Sequence, residues 1–111
     1  MTEEQAAPNV LEMIPTYNAA FVEENGRVIV VLPKTRNRLI ARLFPNAEPR
    51  RFKLHLDEFG TFVWRRMDGR KPVFDIAQEL RRQYGDQIEP VYERLGLFIN
   101  MLAQRRLITL R

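Results

Sequence analysis

The chain contains no cysteine and a single histidine, His55. Without thiols it has no disulfide, no thiolate nucleophile and no cysteine-ligated zinc or iron–sulfur site. One imidazole argues against a histidine-based metal site or catalytic triad. No apolar run approaches the ~20 residues that a membrane span needs, and the polar, acidic first eight residues are unlike a signal peptide. These absences favour a cytoplasmic protein without a cofactor and without a membrane partner.

Groups arranged for catalysis are also scarce. The sequence has no glycine-rich phosphate loop, no nucleophile elbow and no metal-ligand spacing. Asp57 with Glu58 is better explained by helix capping, and Asp75 with Glu79 by a solvated helix face. We therefore expect a protein that is not an enzyme, with no catalytic and no metal-binding residue.

Size and charge bound the remaining classes. With 111 residues and 45% hydrophobic content, the chain fits one compact domain. We expect an arm at residues 1–17 and a single domain at residues 18–111. The net charge of +4 permits nucleic-acid or acidic-peptide partners. Because acidic residues are interspersed with the basic ones, a mixed solvated surface with an arginine-rich bias is the favoured interpretation of this charge.

The first half of the chain has the patterns of a small sheet. Asn25-Gly26 between the β-prone runs 20–24 and 27–32 predicts a hairpin, because a type I′ turn needs positive φ at both central residues. The second run is apolar on both faces, which predicts a central strand. The connection Pro33–Pro49 carries apolar residues that fit a short helix or an irregular strand, and either a lid or a binding element.

Residues 51–56 alternate strictly and predict a half-buried third strand with a basic outward face. Its inward residues are Phe52, Leu54 and Leu56, and its outward residues are Arg51, Lys53 and His55. A long connection precedes this strand and a helix follows it, so it is a candidate sheet edge. An exposed edge offers N–H and C=O groups to an extended peptide.

Three helices are predicted after the sheet. The first begins at Asp57 and ends at Asp68-Gly69, and its Gly60 indicates close approach of another backbone. The second spans about Pro72 to Tyr84. The third starts within residues 86–90 and runs to about residue 106, before a short strand or an extended tail at residues 107–110. The fold class is α+β, with a small three-stranded antiparallel sheet followed by a tri-helical, winged-helix-like unit.

The third helix has apolar residues outside its core stripe. Leu97 and Met101 project away from the centre of that stripe, and Arg94 and Arg105 lie in the arc between them and the core. A helix buried on one face does not need such residues, although single exposed apolar side chains are normal. These side chains could form pockets beside the edge strand, where the basic residues would favour an acidic peptide.

Several motifs of the chain together indicate a family. The stretch Leu56–Trp64 with its Asp-Glu-Phe-Gly start, the Asp68-Gly69 turn and Val73-Phe-Asp-Ile-Ala77 resemble the PqqD family. The similarity continues through residues 92–94, 98–102 and 107–108. It implies a RiPP recognition element, a peptide-binding chaperone that holds the leader of a ribosomally made precursor peptide. Such a domain presents the leader to a modifying enzyme, often a radical SAM maturase.

In that family the leader pairs with the third strand and lies against the third helix. Together with the residue patterns, the resemblance implies ten peptide-binding residues: Arg51, Phe52, Lys53, Leu54, His55, Arg94, Leu97, Phe98, Met101 and Arg105. Two features depart from the family. Pro72 stands where members usually carry Ser or Thr, and the Pro33–Pro49 connection is longer than in better-known members.

Two other classes stay open. The tri-helical pattern, the Arg-rich connection and the pI of about 10.0 also fit a winged-helix nucleic-acid-binding protein. Nucleic acid is disfavoured because the third helix is largely apolar and carries Glu89 and Glu93. The third class is a structural subunit, and self-association into a homodimer belongs to it.

Overall fold

The structure is a computed structural model that describes residues 9–32, 43 and 53–111. In these ranges the chain forms five strands: β1 Pro15–Tyr17, β2 Phe21–Glu24, β3 Arg27–Val31, β4 Lys53–His55 and β5 Ile108–Leu110. The helices are α1 Glu58–Trp64, α2 Val73–Tyr84 and α3 Val91–Gln104, with short 3-10 turns at Val10–Glu12 and Gly85–Ile88. The sheet of β2, β3 and β4 is antiparallel, which confirms the α+β class.

The predicted hairpin and central strand are confirmed. Asn25 and Gly26 have φ angles of 53° and 76°, as a type I′ turn requires. β3 pairs with β2 on one side and with β4 on the other. Val28 and Val30 are fully buried on one face of β3 and Ile29 is buried on the other, which explains why the strand is apolar on both faces after Arg27.

The three helices begin near their predicted positions, but two boundaries differ. The Asp57 carboxylate accepts the Gly60 N–H at 2.8 Å and caps α1, as predicted. α1 ends at Trp64 rather than at Asp68-Gly69, because the chain then turns to bury Met67. Pro72 is the N-cap of α2 and not its first helical residue, and it makes no side-chain capping bond. Gly85, with a φ of 62°, ends that helix.

The core lies between the helices and the inner face of the sheet. Its largest fully buried side chains include Trp64 of α1, Ile76 of α2, Ile99 of α3 and Val30 of β3. Trp64 contacts Tyr17 and Phe21 at ring-centroid distances of 5.8 and 5.6 Å. The tryptophan is therefore a core anchor that connects the first helix to the N-terminal strands.

A second, two-stranded sheet joins the two ends of the described chain. β1 pairs antiparallel with β5, so the end of the chain forms a strand, the first of its two predicted forms, and not an extended tail. The first of the 3-10 turns places Val10 close to Gly96 on α3. Apart from Leu43, the Pro33–Pro49 connection lies outside the described residues, as do Arg51 and Phe52. None of the helices described is long and apolar enough to cross a membrane.

Candidate functional site

β4 is an edge strand in the part of the chain that the structure describes. Its neighbour there is β3, and Leu54 lies opposite Val30. The Leu56 N–H extends this ladder by donating to the Val28 carbonyl at 3.0 Å. The Val28 N–H donates to the Thr61 hydroxyl at 3.0 Å instead of to another strand residue. The ladder thus ends where α1 begins.

The hydrogen-bonding phase shows which backbone groups of β4 face outward. Successive residues of a strand direct their N–H and C=O groups to opposite sides. Since Leu56 bonds to β3, the groups of Leu54 also point to β3, and those of Lys53 and His55 point away from it. The backbone groups of β3 alternate in agreement with this. The Val31 N–H donates to the Ala20 carbonyl on the β2 side at 2.8 Å. Two residues of β4 therefore offer backbone donors and acceptors at the edge.

The side chains of β4 follow the predicted alternation. Lys53 and His55 are exposed, whereas Leu54 is half-buried and packs against the core. The outward face of this strand is therefore basic, as predicted, and its inward face is apolar. A strand added beside it would direct alternate side chains toward the helices.

The outer side of α3 is only partly as predicted. Leu97 is 73% exposed, which confirms that it points away from the core. Met101 was expected to do the same, but it is half-buried and packs against the core. A flexible thioether side chain can bend back over the core edge in this way. Leu97 is therefore the apolar side chain that α3 exposes most.

Phe98 connects α3 to the end of β4. It is half-buried, and its Cζ atom lies 3.3 Å from the position that a Cβ on Gly60 would occupy. The Leu56 Cβ atom lies at the same distance from that position. The close approach that Gly60 permits is thus made by three side chains, those of Asp57, Leu56 and Phe98, and not by a backbone, which corrects the prediction. It brings α3 next to the last rung of the edge strand.

The two arginines of α3 occupy different places. Arg94 donates to the Gln87 carbonyl at 2.9 Å, and its guanidinium lies 5.3 Å from the centre of the Phe59 ring. Arg94 therefore leans toward α1, beyond the end of β4. Arg105 is exposed at the C-cap of α3. Among the described carboxylates none forms an ion pair with either arginine.

One member of each carboxylate pair considered as a catalytic candidate has a structural role. Asp57 caps α1. Glu79 is half-buried and binds Lys71 at 2.9 Å and Arg66 at 3.3 Å, so it does not lie on a purely solvated face as expected. Burial acts to raise the pKa of Glu79, but hydrogen bonds from Lys71 and Arg66 outweigh it and lower this pKa. In the described ranges no three histidine or carboxylate side chains are grouped to hold a metal ion.

Thr61 is the residue of this region that sequence patterns did not single out. It is 3% exposed and its hydroxyl accepts the Val28 N–H that would otherwise lack a strand partner. One signal was available, because Thr61 lies one helical turn before Trp64 and so falls on the buried face. A buried hydroxyl needs a hydrogen-bond partner.

The fold is a small winged-helix-like α+β domain in which β4 is an edge strand among the residues that the structure describes. The family model PqqD, described as coenzyme PQQ synthesis protein D, matches residues 48–108, just over half of the chain. The chain belongs to the PqqD family. Family membership indicates an accessory protein of biosynthesis rather than a catalyst. Searches of curated proteins and of solved structures each give no match.

Proposed function

We propose that this protein is a non-catalytic chaperone that binds the leader of a ribosomally synthesised precursor peptide. The leader adds to β4 as a further strand, and the domain presents it to a modifying enzyme such as a radical SAM maturase. The observation that carries the proposal is the outward direction of the Lys53 and His55 backbone groups. The exposed Leu97 immediately precedes Phe98, which approaches Gly60 just after β4. Family membership agrees with this role.

Strand addition divides affinity and specificity between two elements. Backbone hydrogen bonds to Lys53 and His55 hold any extended peptide, whereas side-chain contacts choose among peptides. Alternate leader side chains face the helices, where Leu97, Phe98 and Met101 provide apolar contacts. The remaining proposed contacts are Arg51, Phe52, Leu54, Arg94 and Arg105, and the basic side chains among them favour an acidic leader.

Binding by one edge leaves the rest of the precursor free for the modifying enzyme. A leader held in a fixed register places the following residues at a defined distance from the domain. We place this activity in the cytoplasm. Light scattering on the purified protein would show whether a homodimer forms.

The direct test is affinity purification of the tagged protein from its host, with mass spectrometry of the peptides and proteins retained. The recovered peptide is then titrated calorimetrically, and amide hydrogen exchange is measured with and without it. We expect slower exchange at the amides of Lys53 and His55, which a new strand would protect. Protection confined to other elements would contradict strand addition at β4.

The nucleic-acid alternative has a separate test. Duplex binding that falls steeply with salt would favour it. In the structure, α3 exposes Glu93 together with Leu97 and not a continuous basic face. We therefore expect no duplex shift in a gel at ~50 mM salt.

A further inference from the structure

A pocket lies just beyond the end of β4, between α1 and α3. Its volume is about 140 Å³. Asp57, Gly60, Arg94 and Phe98 form part of its rim. Its floor is apolar and is formed by buried side chains from α1, α2, the second 3-10 turn and α3: Val63, Leu80, Ile88, Val91 and Leu95.

The pocket continues the edge of the sheet. Asp57 directly follows the last rung of the ladder at Leu56, and Phe98 stands at the junction of Leu56 and Gly60. An extended peptide paired with His55 therefore meets the pocket rim with its next one or two residues, since each strand residue advances the chain by ~3.3 Å. Phe98 thus lies close to Gly60, just after the end of the edge strand, and lines the pocket.

We propose that this pocket is a specificity pocket for one apolar side chain of the bound peptide, of the size of leucine or phenylalanine. The inference rests on the proposed peptide-binding function. A cavity of ~150 Å³ lined by Leu, Ile and Phe in another protein stays dry and binds benzene, so a pocket of this size and lining accepts one such group. A tryptophan side chain exceeds it.

The charged side chains at the rim determine which type of peptide residue is favoured next to the apolar one. The Arg94 guanidinium uses one N–H for the Gln87 carbonyl, and no carboxylate of residues 9–32 or 53–111 pairs with it. A guanidinium has five N–H donors in a fixed fork. Across the rim, one Asp57 oxygen already accepts the Gly60 N–H. An acidic residue next to the apolar one would therefore pair with Arg94.

The test uses peptides selected on the wild-type protein from a random 12-residue mRNA-display library. We expect the selected peptides to share one Leu, Ile, Met or Phe beside an acidic residue. Replacing that apolar residue by Ala should weaken binding about ten- to a hundredfold, which corresponds to exposing one large apolar side chain. A peptide with Ala at another apolar position is the matched control.

A double-mutant cycle then places the side chain in the pocket. The larger side chain of Val91→Phe occupies the pocket from its floor. It should therefore weaken binding of the selected peptide at least tenfold and leave the affinity for the Ala-substituted peptide nearly unchanged. Thermal unfolding checks that the variant folds. If Val91→Phe does not fold, Val91→Leu gives the same comparison with a smaller effect.

The outcomes separate this pocket from the function on which it rests. If Val91→Phe loses affinity equally for both peptides, or loses none, the proposed specificity pocket is wrong. Weaker binding by Leu97→Asp would still support peptide binding at β4 and α3. Selected peptides without a shared apolar residue would also overturn it. If no peptide is selected, or if selected peptides bind Leu97→Asp and His55→Pro as tightly as wild type, both proposals fall.

Discussion

A Cβ atom on Gly60 would lie 3.3 Å from Cζ of Phe98, a residue on a different helix. The same position is 3.3 Å from the Leu56 Cβ and 3.2 Å from an Asp57 carboxylate oxygen. Contacts this short leave no room for a methyl group unless a neighbour moves. The absence of a side chain at position 60 therefore lets the end of β4, the start of α1 and the middle of α3 come together.

Gly60→Ala and Gly96→Ala should have opposite effects on stability. Both glycines lie in helices, where Ala is favoured by roughly 0.5–1 kcal/mol. At Gly96 the nearest atom to a new Cβ is Val10 Cγ1 at 3.9 Å, which is an ordinary contact, so we expect a gain of that size. At Gly60 the crowding outweighs it, and we expect a net loss of about 1 kcal/mol. Urea unfolding measures both, and equal gains would contradict the close packing at Gly60.

His55→Pro should remove peptide binding without unfolding the domain. Its N–H points away from β3, and proline is tolerated on an edge strand when its nitrogen faces outward. We expect at least a tenfold loss of affinity for the recovered leader, because one hydrogen bond is removed and the ring obstructs an added strand.

Two variants control for this result. His55→Ala keeps the N–H and should bind within about threefold of wild type, since only a side chain on the outer face is lost. Leu54→Pro places the ring where the N–H faces β3, so it should unfold the domain. Tight binding by His55→Pro would show that the peptide does not pair with β4.

Leu97→Asp and Met101→Asp should differ in stability. Leu97 is 73% exposed, so its replacement should change the free energy of unfolding by only about 0.5 kcal/mol. Met101 is half-buried against the core, and a carboxylate there should cost about 2 kcal/mol or more. We expect Leu97→Asp to weaken leader binding at least tenfold with an unchanged circular dichroism spectrum. An unchanged affinity would count against the outer side of α3 as a contact surface.

Acid should weaken the domain partly through Glu79. Its pKa is lower in the folded protein than its ordinary value of 4.5, because Lys71 and Arg66 hydrogen-bond to the ionised form. A lowered pKa gives stability that is complete above pH 4.5 and is lost as the pH falls through the folded-state pKa. Glu79→Gln should cost about 1 kcal/mol at pH 7 and less at pH 3. Unfolding curves at both pH values measure this, and an equal cost at the two would contradict the ion pair.

Much of the fold could be predicted because its signals are local. Asn25-Gly26 specifies a turn through its own φ angles, and the alternation at residues 53–56 specifies which side chains of β4 are buried. Asp57 caps the helix that follows it directly. The predicted end of α1 lies too far along the chain, because the chain turns after Trp64 and buries Met67. The burial of Met67 depends on the residues of other segments that pack around it.

The candidate site was likewise predicted only in part from local signals. Its two elements, the strand at residues 53–55 and the helix with Leu97, follow from hydrophobic periodicity, which each segment carries by itself. Met101 was misplaced because helical periodicity gives a direction but not the position of the core edge. The Glu79 ion pairs were also missed, since Arg66 and Lys71 reach it from outside its own helix.

Local sequence patterns specified the order of the three-stranded sheet and the helices, the hairpin, the buried strand face and the membership of a family whose motifs extend from α1 into α3. The tertiary structure alone decided which backbone groups of β4 face outward, which side chains meet at Gly60, and that a pocket opens beyond Leu56. The physical reason is distance along the chain. Dihedral preferences and periodicity act within one segment, whereas an edge, a close approach or a pocket exists only when separate segments pack against each other.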